Sequence, residues 1–328
     1  MTIRTSIAAL AAGAILATPL AAQELKFANF TPPFHTINAS VIETMDEAVS
    51  EATDGELTVR GYHGGELGAG PAEQYVRVVQ GVADLAWGLP GYTSSQFPRT
   101  MIAELPATFA PDEPGYEGLW RAYDEHLSQE FPGTKPVAIW TSEPNILIMK
   151  DREIRSPDDL QGLKLRVAGA TSADVLEAMG ATPVQMPINQ VYNALQTGLI
   201  DGVVTGGSTL SDFKLDEVAN SYTIGAPLGR LTFYAVMNQG VYDGLPEDKQ
   251  AAIDSIAGEP LSRSAEEAWN ATADAAIQAA RDSGDNTVID LSEEEIAAFA
   301  ERIDPVTDAY VEEVGGEEAI AAMRGEGM

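Results

Sequence analysis

The sequence contains no cysteine. Disulfides, thiolate nucleophiles and zinc–thiolate sites are therefore excluded. Histidine is scarce: His35, His63 and His126 lie far apart, in no HxxxH or HExxH spacing. No metal site is expected from them, and each is read as a surface or loop residue. Basic residues are few as well, with 19 Lys and Arg against 50 Asp and Glu and a formal net charge of −31. Nucleic acid and anionic membrane would both repel such a chain and are not expected partners. In so acidic a chain, a cation placed in the interior stands out. Beyond the N-terminus no apolar run reaches the roughly 18 residues that a membrane-spanning helix needs. Phosphate-binding loops are missing too. "GGELGAG" (64–70) fits neither GxGxxG nor GxxxxGK[ST] and is read as a turn. "TGGSTLSD" holds serines but no GxSxG, with no histidine near in sequence. No cofactor and no catalytic set is expected.

What is present is 328 residues, 45% of them hydrophobic, enough for one large domain or two lobes. "MTIRTSIAALAAGAILATPLAAQ" has a basic Arg4, an apolar stretch from Ile7 to Leu16 and then small residues. Residues 1–23 read as a cleaved secretory signal peptide, with cleavage near Ala22 or Gln23. Secretion without cysteine points to a periplasmic location, and no cysteine next to the leader offers a lipid anchor.

The mature chain opens with alternating "ELKFANF". A helix follows whose Ile37, Val41, Met45 and Val49 recur at four-residue steps and which Gly55 closes. "ELTVRGYH" is a second strand, "AEQYVRVVQGV" a helix and "ADLAWG" a third strand, a βαβαβ order that implies parallel pairing. Residues 115–131 read as helical, and "KPVAIWTS" and "NILIMK" as strands. The alternation restarts at "GLKLRVAG" and runs through "ATPVQMP" to "DGVVTGG". "RLTFYAVMN" is a late strand, and the remainder reads as helices: "LPEDKQAAIDSIAG", a long run from about Leu261 to Arg281, and "SEEEIAAFAERID". The fold class is therefore α/β with two lobes. Residues 24–143 plus about 232–270 form lobe I, residues 144–231 plus about 271–328 form lobe II, and the long helix crosses between them.

Ligands of open α/β sheets bind beyond the carboxyl ends of strands. Such ends follow Phe27, Ala86, Ser142, Val167 and Val204, which brings forward Phe30, Trp87, Tyr92, Asn145, Arg166 and Thr205. Trp140, Phe233 and Tyr234 are further aromatics suited to a core, a lobe interface or a stack on a ligand. Arg166 is the pivotal residue. In "DDLQGLKLRVAG" it alternates with Leu165 and Val167 just before Gly169, where the strand should end. Two readings stand side by side: a salt bridge to one of many acids, or a clamp for a ligand carboxylate, whose two oxygens match the guanidinium fork.

"SPDDLQGLKLRVAG", "LEAMGATPVQMPINQVYNALQTGLIDG", "VQGVADLAWG", "FPRTMIAELPATF" and "MNQGVYDGLPEDKQAAI" together resemble the solute-binding proteins of TRAP transporters, the tripartite ATP-independent periplasmic family of C4-dicarboxylate-binding type. The resemblance spans the whole mature chain. It implies the two-lobed periplasmic-binding-protein fold with a ligand cleft between the lobes. It also implies a receptor that captures a small organic acid and hands it to a sodium-driven membrane permease. Arg166 stands where the family's carboxylate-clamping arginine stands. The chain departs from the pattern at three places. "EPNILIM" puts Asn145, Ile146 and Leu147 where sialic-acid-type members carry another arginine. Thr205 replaces a usual asparagine after the Asp201–Gly202 pair, and Ile188 replaces a ligand-stacking phenylalanine. The expected ligand is a monocarboxylate with an apolar or aromatic body, packed by Phe30, Trp87 and Trp140. The expected state is a monomer. The other readings are a receptor that presents its ligand to a membrane sensor, and a secreted enzyme on the same scaffold.

Overall fold

The computed structural model describes residues 22–110 and 113–326, so most of the leader expected at residues 1–23 lies outside the described residues. Eleven strands form two sheets. In chain order they are β1 (Gln23–Ala28), β2 (Leu57–Tyr62), β3 (Leu85–Gly88), β4 (Thr134–Thr141), β5 (Asn145–Met149), β6 (Lys164–Val167), β7 (Thr182–Gln185), β8 (Gly202–Gly206), β9 (Ser221–Ile224), β10 (Thr232–Asn238) and β11 (Thr287–Asp290). The first sheet has the order β2-β1-β3-β10-β4 and the second β11-β9-β5-β8-β6-β7. In the first, β1 lies parallel to both β2 and β3, as the βαβαβ order requires. The late strand β10 then inserts antiparallel between β3 and β4.

Strand β6 is an inner strand, parallel to β7 on one side and to β8 on the other. Inner strands of such a sheet are covered on both faces. Only Lys164, at the start of β6, is exposed; Leu165, Arg166 and Val167 are all buried.

Several connections join the sheets. Residues 142–145 and 229–231 run side by side: the Ser142 amide donates to the Leu231 carbonyl at 2.7 Å and the Asn145 amide to the Gly229 carbonyl at 2.9 Å. The long helix spans Glu259–Ser283, entered from Gly258 at φ +86° and left at Gly284 at φ +71°. Its buried Glu266 accepts from the amides of Gly115 (2.7 Å), Tyr116 (3.0 Å) and Thr141 (2.9 Å), which pins the helix beside the end of β4.

Helix Glu293–Val314 starts at a capping box, Ser292 with Glu295. It continues through Pro305, whereas the sequence pattern ended it at Asp304. Tertiary packing outweighs the proline: Phe299 and Ile303 sit in the second lobe's core and Val311 in the first's. Thr307 Oγ1 donates to the Pro106 carbonyl at 2.9 Å and Tyr310 Oη to that of Pro98 at 3.0 Å. The last helix, Glu317–Met323, was expected with lobe II. It buries Ile320 and Met323 in the core of lobe I instead.

Candidate functional site

Between the lobes lies a cavity with about 420 Å³ of atom-free space, of which about 30 Å³ admits the centre of a water molecule. It is therefore a narrow slot. Its walls include Phe30, Trp87, Leu89 and Phe233 from lobe I, Ile188 and Phe213 from lobe II, and Trp269 from the long helix. Phe30 stacks on Trp87 with centroids 4.6 Å apart and planes 17° apart. Trp269 packs edge-on to Trp87 at 6.1 Å. Flat, rigid walls of this kind favour a flat apolar ligand body.

One cation enters this apolar slot. Arg166 is 1% exposed, and it is the only lysine or arginine among the described residues lining the cavity. Its Nε donates to the Met186 carbonyl at 2.9 Å and its Nη2 to Tyr92 Oη at 3.5 Å. Nη1 is buried and has no hydrogen-bond partner among the described residues. No carboxylate among them forms an ion pair with Arg166. Burial pulls the guanidinium below its ordinary value, and Tyr92 and Glu104 oppose that shift. An arginine nevertheless keeps its charge under such conditions. The site thus holds a fixed, half-satisfied cation, a costly arrangement unless an anion completes it.

Buried acids surround the slot at one remove. Glu104 accepts from Thr171 Oγ1 at 3.1 Å and from the Thr232 amide at 3.1 Å, joining the two lobes. Burial pushes its carboxyl up to about 7. Glu143, which accepts from the Ser208 amide at 2.7 Å, is likewise raised to about 7 by burial. Asp212 is raised to about 6 for the same reason. Among the described residues no cluster of histidine and acidic side chains is arranged to hold a metal ion.

Of the residues brought forward from the sequence, Arg166, Tyr92, Phe30, Trp87, Thr205 and Phe233 meet at this cavity. Thr205 Oγ1 is buried and without a partner among the described residues. Asn145 and Trp140 do not line it. Asn145 turns its amide to the Leu228 carbonyl at 3.2 Å, in the crossing between the lobes. Trp140 lies behind Phe233, stacked at 5.4 Å and 26°. The sequence did not bring forward His35, Ser208, Phe213, Leu231 or Trp269, all of which line the slot. His35 is 3% exposed rather than a surface residue. Seven positions past β1, it lay too far along its loop for the strand-end rule to reach. Trp269 carried one usable signal, a lone tryptophan in an Ala/Glu-rich helix that crosses the lobes.

Comparison with known proteins places this architecture. The solved structure of a TRAP solute-binding protein from Rhodoferax ferrireducens with copurified benzoate superimposes with a TM-score of 0.86 at 28% identity, covering 92% of this chain and 97% of that one. A marine-metagenome TRAP solute-binding protein specific for aromatic acid ligands, in complex with 3-hydroxybenzoate, gives 0.85 at 28% identity with the same coverage. The C4-dicarboxylate-binding periplasmic protein DctP of Rhodobacter capsulatus is 27% identical over 327 residues, 97% of this chain and 96% of that protein. Among the described residues no helix is long and apolar enough to cross a membrane. The family model for bacterial extracellular solute-binding protein, family 7, matches residues 27–313, and the chain belongs to that family, the TRAP solute-binding receptors for carboxylates.

Proposed function

We propose that this chain is a periplasmic receptor for an aromatic monocarboxylate, which it delivers to a sodium-driven TRAP permease. The observation that carries this reading is the unpartnered Nη1 of Arg166 in a slot otherwise walled by aromatic and aliphatic side chains. A ligand carboxylate reaching Nη1 would complete the guanidinium's hydrogen bonding and neutralise its charge. Tyr92 Oη and Thr205 Oγ1 are placed to add hydrogen bonds. Phe30, Trp87 and Phe233 would hold the ring, with Trp140 supporting Phe233 from behind. A dicarboxylate fits less well, because its second anion would meet no cation at the wall and would face Asp212 and Glu143 nearby. Thus the relatives that bound benzoate and 3-hydroxybenzoate are better guides to the ligand than the dicarboxylate receptor.

The test is a thermal-shift screen of the mature protein against aromatic, aliphatic and dicarboxylic acids. A ligand present at a hundred times its dissociation constant stabilises by about 2.7 kcal/mol, enough to move Tm visibly. The expected result is a shift with aromatic monocarboxylates that Arg166→Ala abolishes. Shifts confined to dicarboxylates or to uncharged compounds would refute the reading.

A further inference from the structure

His35 and Asp212 approach each other from opposite lobes. His35 follows β1, while Asp212 ends the short helix Thr209–Asp212 that follows β8. The Ile37 amide donates to His35 Nδ1 at 3.1 Å. Nδ1 is therefore an acceptor and carries no hydrogen in the neutral ring. Burial depresses the imidazole to about 3, so the ring is neutral and its hydrogen sits on Nε2. Nε2 stands 3.7 Å from Asp212 Oδ2, beyond hydrogen-bond range. Asp212 Oδ1 accepts from the Thr36 amide at 3.2 Å. Its Oδ2 is buried and has no hydrogen-bond partner among the described residues, in a residue only 6% exposed. A donor and an acceptor thus face one another without meeting, where His35 forms part of the cavity wall. Buried polar atoms are nearly always paired, so this gap calls for an occupant.

We propose that His35 and Asp212 form a subsite for a hydroxyl group on the ligand. The hydroxyl oxygen accepts from His35 Nε2–H, and the hydroxyl hydrogen is donated to Asp212 Oδ2. A hydroxyl is the small group that does both at once. The inference rests on the aromatic-monocarboxylate reading and narrows it to hydroxylated aromatic acids. A second carboxylate would be repelled at this place by Asp212. The imidazole is held by rings of Trp87 at 5.4 Å, Phe213 at 5.1 Å and Trp269 at 5.6 Å. Arg166 instead leans on Met186 and Tyr92. The two polar contacts therefore sit on different stretches of wall, with room for a ring between them. Because His35 and Asp212 come from different lobes, the hydroxyl is read only when the cleft closes.

The experiment is calorimetric titration with benzoate and its three monohydroxy isomers, against the mature protein and its His35→Phe and Asp212→Asn variants. Far-UV circular dichroism and Tm confirm the fold, and Asp212→Asn keeps an oxygen for the Thr36 amide. At least one hydroxy isomer is expected to bind about tenfold or more tightly than benzoate, since sites built around a hydroxyl reject the analogue that lacks it. Each variant should collapse that ratio towards one while benzoate affinity changes by less than about threefold. Equal affinity of the native protein for all four acids, or a ratio unchanged in both correctly folded variants, overturns the subsite and leaves the aromatic-acid reading standing. No binding of any of the four overturns both.

Discussion

Tyr92 reaches from lobe I across the cleft to Arg166 in lobe II. Its hydroxyl oxygen accepts from Arg166 Nη2 at 3.5 Å and from the Ile188 amide at 3.1 Å. With both lone pairs engaged, the phenolic hydrogen is free to be donated. A carboxylate on Arg166 lies where that hydrogen would go. Tyr92→Phe should therefore weaken carboxylate binding by about 1–2 kcal/mol, roughly ten- to thirtyfold. The fold should persist, because the ring stays in place. Calorimetry on the variant checks it, and undiminished affinity would remove Tyr92 from the clamp.

Arg166 itself should tolerate no replacement. Arg166→Ala removes the charge that the ligand would neutralise, and truncating one member of a buried charge pair costs about 2–5 kcal/mol. Arg166→Lys keeps the charge but loses the planar fork that bonds Met186, Tyr92 and the ligand together, so it too should bind far more weakly. The measurement is ligand affinity beside Tm of the free protein. If lysine restores native affinity, the fork geometry plays no part.

Arg166 was legible because strand alternation is a local property. Three neighbours fixed its register, and the following glycine marked the strand end. The two-lobed α/β fold was legible for the same reason, since each strand and helix announces its own period. What escaped was non-local. Asn145 and Trp140 sit at the right strand ends, yet one faces the interlobe crossing and the other lies a layer behind Phe233. His35 enters the site through a loop folded back over Trp87. The path of helix Glu293–Val314 past Pro305 depends on contacts at Pro98 and Pro106, two hundred residues away in sequence.

The buried acids set an unusual pH dependence. Glu104 and Glu143 are raised to about 7 and Asp212 to about 6 by burial. Between the ordinary carboxyl range near 4 and these values, the folded protein holds protons that the unfolded chain has released. Their contribution to stability is present at pH 4–5 and is lost as pH rises through 6–7. His35 acts the other way. Its value of about 3 means that the unfolded chain takes up a proton below about 6.5 while the folded protein does not. That term removes stability as pH falls. Three acids outweigh one histidine, so Tm of the free protein should rise when pH drops from 8 to about 5.5. Glu104→Gln should flatten part of the slope. A Tm that falls steadily over this interval would show that these carboxyls are ionised in the fold.

Two glycines set how closely the lobes approach. Gly91 belongs to lobe I, and Gly169 follows β6 in lobe II, three residues after Arg166. A methyl group built on Gly169 would lie 2.7 Å from Gly91 Cα and 3.0 Å from its carbonyl oxygen. Gly169 has φ −141°, a backbone geometry any residue adopts, so alanine there strains nothing within its own lobe. The clash arises only between lobes, and it involves backbone that cannot rotate away. Gly169→Ala should therefore prop the cleft apart while leaving each sheet intact. Tyr92 would lose its reach to Arg166, and ligand affinity should fall by about tenfold or more, the cost of a binding-competent state that is now rarely populated. Tm of the free protein should change little by comparison. Small-angle scattering with and without ligand reads the closure directly. A variant that still contracts on ligand addition and binds as the native protein does would mean that the lobes meet less closely than these two glycines indicate.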